Sequence, residues 1–288
     1  MEGLGRCSTL QKHYPSLSPT RCVSLPDHFQ RQDHEYEDYQ WYLHEAGLSR
    51  EEVRQVARSL VEAFLEHRCS DELVTAWKEK RSGDRSNHPE HIQEVLEVFI
   101  EKAFGLPPAG EEPSDHVQGV VAEHLWYYLK AHSDAEYAHL EPPDLDITSG
   151  GGDSISVQRP EEDLEFRLWE IKKCTGDSLR STITNAYRQV EDNGPRYLAQ
   201  MTTIKQEDDH NQELANFFSR LPELWCSNSP RSSVGISVAI PNSLTPDDCF
   251  DDFPDRFPNR SLPEGVVKVV GDYEDFVQTV QKEAWKGL

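Results

Sequence analysis

Hydrophobic positions along the chain recur with two different periods, and the two alternate in blocks. A spacing of two, the mark of a strand whose successive side chains face opposite ways, is clearest at residues 164–172. There Leu164, Phe166 and Leu168 share a face with Glu170 and Lys172. Just upstream, Gly150-Gly151-Gly152 reads as a turn feeding a second strand, on which Asp153, Ile155 and Val157 point the same way. Residues 233–240, bounded by Pro241-Asn242, and residues 266–270 read as further strands. Helical spacing occupies most of the remainder. It is expected from Asp33 to about Lys80, where Ser49 and Glu52 form a capping box ahead of Val53, Val56, Leu60 and Phe64. A helix over residues 89–104 carries Ile92, Val95, Leu96, Phe99 and Ile100 and is stopped by Gly105, Pro107 and Pro108. Val117, Val121, Leu125 and Tyr128 stripe another helix over residues 117–129. After the 164–172 strand, Asp177 or Ser178 caps a helix with Leu179, Ile183, Ala186 and Val190 on one face, ended by Asn193-Gly194-Pro195. More helix follows to residue 221, then an acidic, Pro-broken loop over 247–257, and residues 273–285 form the last helix.

These blocks predict three parts: a flexible N-terminal arm over residues 1–30, a helical N-terminal section over 31–115, and an α/β core over 116–288. Within the core the order αβββαβ runs from 117 to 240 and implies a mixed central sheet flanked by helices. No apolar run approaches the ~20 residues of a membrane span, and the N-terminus has no signal-peptide pattern. The six cysteines form no CxxC pair or regular framework, so they read as reduced thiols of a cytosolic protein.

Charge sharpens the picture at one place. Glu170 and Lys172 sit at the end of an otherwise apolar strand, where an ionised group is costly without a partner or a task. If the two strands pair, Asp153 joins them, and two carboxylates with one lysine make a hard-cation site with a cationic neighbour. An Asp, a gap, then Glu-x-Lys on an apolar strand resembles the PD-(D/E)XK nuclease superfamily. The resemblance covers roughly residues 117–240. It implies that Asp153 and Glu170 hold Mg²⁺ (or Mn²⁺), that the Ile171 carbonyl is a further ligand, and that Lys172 is the catalytic ammonium. It also implies a carboxylate from the preceding helix, for which Glu123 is the candidate. The literal Pro-Asp pair is Pro143-Asp144, so Asp144 or Asp146 competes with Asp153 for the first ligand position. Gln189, on the helix after the strand, resembles a glutamine that some subfamilies place beside the site, but reads more simply as a surface residue. The layout further resembles nuclease subunits of prokaryotic anti-phage systems, including the Hachiman type. The nuclease reading takes nucleic acid as substrate, DNA first with RNA left open, and the negative net charge adds a DNA-engaging partner such as a helicase or ATPase to deliver it.

The overall charge pulls the other way. With 52 acidic and 29 basic residues the net charge is −23, and duplex DNA is itself a dense polyanion. A solubilising surface, a partner that supplies the grip on DNA, or an acidic surface that is itself recognised would each account for it. The last defines a rival from another class, a non-catalytic interaction module or nucleic-acid mimic. A second rival rests on Gly176-Asp177-Ser178-Leu179, the nucleophile signature of GDSL-type esterases. His210 is the only histidine after Ser178, with Glu207 where that family has an Asp, and Asp177-Ser178 reads more simply as a helix cap. The pairs His88/His91 and His67/Cys69 lack the complementary pair that a closed zinc site requires.

Overall fold

The computed structural model describes residues 25–46, 49–84, 88–108, 112–133, 135–143, 153–176, 178–208, 211–258 and 260–288. Most of the arm, Asp144, Asp146, the Gly150–Gly152 turn, Asp177 and His210 therefore lie outside the described residues.

One seven-stranded mixed sheet organises the chain, in the order β1-β2-β7-β6-β5-β4-β3. Its strands are β1 (Phe29–Glu35), β2 (Gln40–Ala46), β3 (Tyr137–Leu140), β4 (Ser154–Gln158), β5 (Glu165–Lys173), β6 (Ser232–Ile240) and β7 (Glu264–Val269). The neighbours β2, β7, β6 and β5 run parallel; β1 and the pair β3-β4 are added antiparallel at the two edges. The main helices are α1 (Arg50–Arg68), α2 (Asp71–Ser82), α3 (Glu90–Phe104), α4 (Asp115–Ala131), α5 (Leu179–Asp208), α6 (Gln212–Ser219) and α7 (Leu221–Cys226). A single turn, α8 (Phe253–Arg256), and α9 (Tyr273–Trp285) complete the set among the described residues.

Two apolar layers cover the sheet, as the alternation along β5 requires. Phe166 and Leu168 belong to the layer built with α5, α6 and α7, whereas Trp169 and Ile171 belong to the layer built with α1, α4 and α9. Strands β6 and β7 are buried along their whole length, because helices cover both of their faces. The mixed α/β architecture and the helix–strand order from α4 to β6 follow the sequence expectation.

Three local expectations are corrected. Residues 29–46 are not helical: they form an antiparallel hairpin, with Phe29 opposite Ala46 and Glu35 opposite Gln40. The hairpin joins the sheet because β2 lies parallel to β7, Tyr42 opposite Val266, and Trp41 and Ala46 are buried there. The section over residues 31–115 thus supplies sheet as well as helix, and its α1 packs on α9 from the far end of the chain. Residues 25–30 of the expected arm are fixed too: Leu25 is buried in the layer with α1 and α4, and Phe29 opens β1. Finally, α5 does not stop at Asn193-Gly194-Pro195 but continues to Asp208 with Pro195 inside it. Gly194 lies against Leu168 and Trp225, too close for a side chain to be added freely, and the buried Leu198 lies one turn further on. Packing on both sides of the proline outweighs the hydrogen bond it removes. On α3, Val95 faces solvent, while Ile92, Leu96 and Ile100 are buried as expected.

Candidate active site

The expected capping box forms at Ser49–Glu52, and Ser114 caps α4, accepting from the Val117 N–H at 3.4 Å. From that start α4 runs back along β5. Lys173, at the end of β5, donates to Asp115 at 2.6 Å and to Gln118 at 2.5 Å, pinning the first turn of α4 to the strand. Tyr273 of α9 donates to the Gln118 carbonyl at 2.7 Å. These clamps fix the height of α4 along the sheet and with it the position of Glu123, two turns in from the cap.

Asp153 stands where β4 begins. Its N–H donates to the Trp169 carbonyl at 2.9 Å, and its Oδ2 accepts from the Ile171 N–H at 2.5 Å. The carboxylate thus takes the place of the next backbone acceptor, at the point where the β4–β5 ladder opens. A residue's N–H and C=O face the same edge of a strand, so the Ile171 carbonyl is directed toward that opening as well. One position back on β5, Glu170 is 2% exposed. Its Oε1 is 2.5 Å from the Lys172 ammonium, while its buried Oε2 has no protein partner among the described residues.

Electrostatics bind these groups into one unit. Desolvation, then the charges of Asp153 and Glu170, push the Glu123 carboxyl up to about 8, against the pull of Lys172 and Lys268. Desolvation and Asp153 push Glu170 up to about 7, although Lys172 opposes this. Burial likewise raises Asp153, in spite of Lys172 and its bond from Ile171. Burial pulls the Lys172 ammonium down, but Asp153, Glu170 and Glu123 together hold it above its ordinary value. Three crowded carboxyl groups face the ammonium groups of Lys172 and Lys268, and a divalent cation would offset the negative charge that these leave uncompensated. The unpartnered Oε2 of Glu170 and the all-oxygen donor set fit a hard ion such as Mg²⁺ or Mn²⁺. Among the described residues no three His, Cys, Asp or Glu side chains already converge on one metal position. An ion held here would need Lys172 to release Oε1 and the carboxylates to move closer together.

Glu123, Asp153, Glu170 and Lys172 are thus drawn into one electrostatic cluster, while Asp144 and Asp146 lie outside the described residues. Gln189 is exposed. Ser178 is a cap: its Oγ accepts from the Ser181 N–H at 3.3 Å.

One residue of the cluster was not singled out from the sequence. Lys268, one residue from the end of β7, is fully buried and donates to the Ala122 carbonyl at 3.0 Å. Desolvation pulls its pKa down to about 7, while Glu123 and Asp153 oppose the fall. Its signal in the sequence was a lysine inside Val266-Val267-Lys268-Val269-Val270, since a charge within a buried strand needs a partner.

No protein-family model and no curated protein matches this chain. No helix among the described residues is long and apolar enough to cross a membrane.

Proposed function

We propose that the chain is a metal-dependent nuclease of the PD-(D/E)XK kind, hydrolysing phosphodiester bonds of nucleic acid, with DNA the first candidate. The observation that carries this reading is the gathering of one buried acid, Glu170, and two half-buried ones, Glu123 and Asp153, around the Lys172 ammonium, which lies 2.5 Å from Glu170. Asp153, Glu170 and Glu123 would hold a Mg²⁺ or Mn²⁺ ion, with the Ile171 carbonyl beside them. Such an ion supplies Lewis-acid polarisation of a phosphoryl oxygen and an acidified water. Lys172 then has two tasks that belong to the protein. It orients the nucleophile, and it donates to the charge that develops on the phosphate in the transition state. Burial of Glu170 keeps water from competing for these contacts.

Net charge of −23 opposes long-range capture of a polyanion, so the substrate is delivered by a partner that grips it, a helicase or ATPase, as in an anti-phage assembly. The same charge favours the second reading, in which the acidic surface of a non-catalytic module binds a protein partner. Incubation with plasmid, linear and single-stranded DNA and with RNA, in Mg²⁺, Mn²⁺ or EDTA, separates the two. Cleavage that needs the ion and is lost in Glu170→Gln supports the nuclease. Absence of cleavage from every substrate, alone and with a delivering ATPase, supports the module. Ester turnover lost with Ser178→Ala would instead support the esterase.

A further inference from the structure

Beside Lys130, at the far end of α4 from its Ser114 cap, the sheet carries a polar cavity with a volume of about 520 Å³. It opens at the starting ends of the parallel strands β2, β7 and β5, and β1, β3 and β4 complete its wall. Lys130 is seven residues beyond Glu123, about 10 Å along the helix axis, so the cavity is separate from the acidic cluster.

Its charge balance runs against that of the chain as a whole. Arg31, Lys130 and Arg167 line it with Asp33 and Glu264, three cations against two carboxylates among its described residues, in a chain where acids outnumber bases by 52 to 29. Two of these cations are fixed. Arg167 donates from Nη1 to Glu264 at 2.5 Å, from Nη2 to the Leu262 carbonyl at 2.9 Å, and from Nε to Ser233 at 3.3 Å. Lys130 is paired with the same Glu264 and packs over the rings of Tyr42 and Trp169. One buried carboxylate is therefore shared by two cations. A guanidinium has five N–H groups and an ammonium three, so both can serve a further acceptor. Arg31 sits at the rim, 40% exposed, 2.6 Å from Asp33 and 4.1 Å above the Tyr42 ring. The field reaches the neighbouring His44: burial, then Lys130, Arg31 and Lys268, hold its pKa down at about 4. Tyr137 and the amides of Gln40 and Gln158 stand in the uncharged part of the wall, beside Tyr42, Ser133 and Ala135.

We propose that this cavity binds a nucleoside phosphate, with the phosphate between Arg31, Lys130 and Arg167 and the base against Tyr137 and the two glutamine amides. Surplus positive charge on rigid donors selects an anion, and Arg in particular suits phosphate oxygens. The volume selects something larger than an inorganic ion, because it falls in the range of small-molecule sites. The tyrosine and amide wall selects a ligand with a flat polar ring. The same chemistry comes from a free mononucleotide or from the phosphorylated end of a strand, and the two are told apart by the probes.

Calorimetric titration of the full chain in EDTA, where the acidic cluster has no ion to contribute, tests the assignment. Adenosine 5′-monophosphate is expected to bind, more weakly as salt is raised, whereas adenosine is not. Arg31→Glu, an exposed rim substitution, should weaken binding at least tenfold without changing the melting temperature, and Lys130→Gln should do the same if its circular dichroism is native. Preference for a 5′-phosphorylated hexathymidylate over its 5′-hydroxyl form identifies a strand end as the source; binding of the mononucleotide alone identifies a free nucleotide. Equal binding of adenosine and its monophosphate, unchanged binding by Arg31→Glu, or no heat from any probe at millimolar concentration would overturn the proposal. Because EDTA is present throughout, that failure would leave the nuclease reading standing.

Discussion

Lys268 on β7 reaches across to α4 and donates its proton to the Ala122 carbonyl at 3.0 Å, immediately before Glu123. A strand from the end of the chain thereby sets the position of the helix that presents a carboxylate to β5. The ammonium is enclosed and its charge disfavoured, and Glu123 and Asp153 are the acids that favour it. In the proposed nuclease it would act through the helix and the local field, as a positioning residue.

Lys268→Met keeps the length of the side chain and removes the charge. The folded pKa of about 7 lies below the ordinary lysine value, so between about 7 and 10.5 the unfolded chain binds the extra proton. Wild-type stability should therefore rise with pH across that window through this group, and the Met variant should lack that rise. Urea unfolding of both proteins at a series of pH values measures it; identical slopes would contradict the burial and pairing described. Any catalytic activity should fall in the variant, since Glu123 loses its anchor.

The Glu123 carboxyl, raised to about 8, works in the opposite sense. Its contribution to stability is full below about pH 4.5, the ordinary range, and is lost as pH rises through about 8. In EDTA, Glu123→Gln should be more stable than wild type above neutral pH, by about 1–3 kcal/mol after allowance for repacking and partial exposure. Added Mg²⁺ should stabilise the wild type and leave the variant nearly unmoved. Chemical denaturation at pH 5 and pH 9, with and without the ion, gives all four values.

Removing the Lys172 ammonium should cost cleavage at least ~10²-fold, the scale of one electrostatic donor to a developing charge. The fold should persist, because the side chain is partly exposed. Single-turnover rates of Lys172→Ala on a substrate cut by the wild type test this, with circular dichroism as the control.

A packing prediction is independent of function. Gly235 of β6 faces the indole of Trp169 so closely that an added methyl would overlap the ring. Gly235→Ala should destabilise the protein by roughly 1–3 kcal/mol and lower the melting temperature by several degrees. An unchanged melting temperature would mean that Trp169 does not occupy that position.

Where the pattern was local and strong, the sequence was legible. The Ser49–Glu52 box, the stripe on α4, the alternation along β5 and the bounds of α9 all follow from neighbours in the chain. What failed depended on distant residues. The hairpin of β1 and β2 has no Gly, Pro or Asn at its turn; Glu37-Asp38 lies between Tyr36 and Tyr39, whose rings stack. Its strand character comes from pairing with β7, Gln40 opposite Glu264 far along the chain. Pro195 reads as a stop, yet buried neighbours on both sides carry the helix through it. Within the site, Asp153, Glu170 and Lys172 were visible because each broke an apolar or turn pattern. Lys268 broke one equally, but its partners belong to α4 and β4, which no spacing along β7 can announce.

Binding of Mn²⁺, followed by electron paramagnetic resonance during titration of the full chain, tests most directly whether the acids of α4, β4 and β5 form one ion site. The account predicts saturable binding by the wild type, loss of it in Asp153→Asn and in Glu170→Gln, and tighter binding as pH rises through the raised carboxyl pKa values. Wild-type affinity retained in both variants would contradict it.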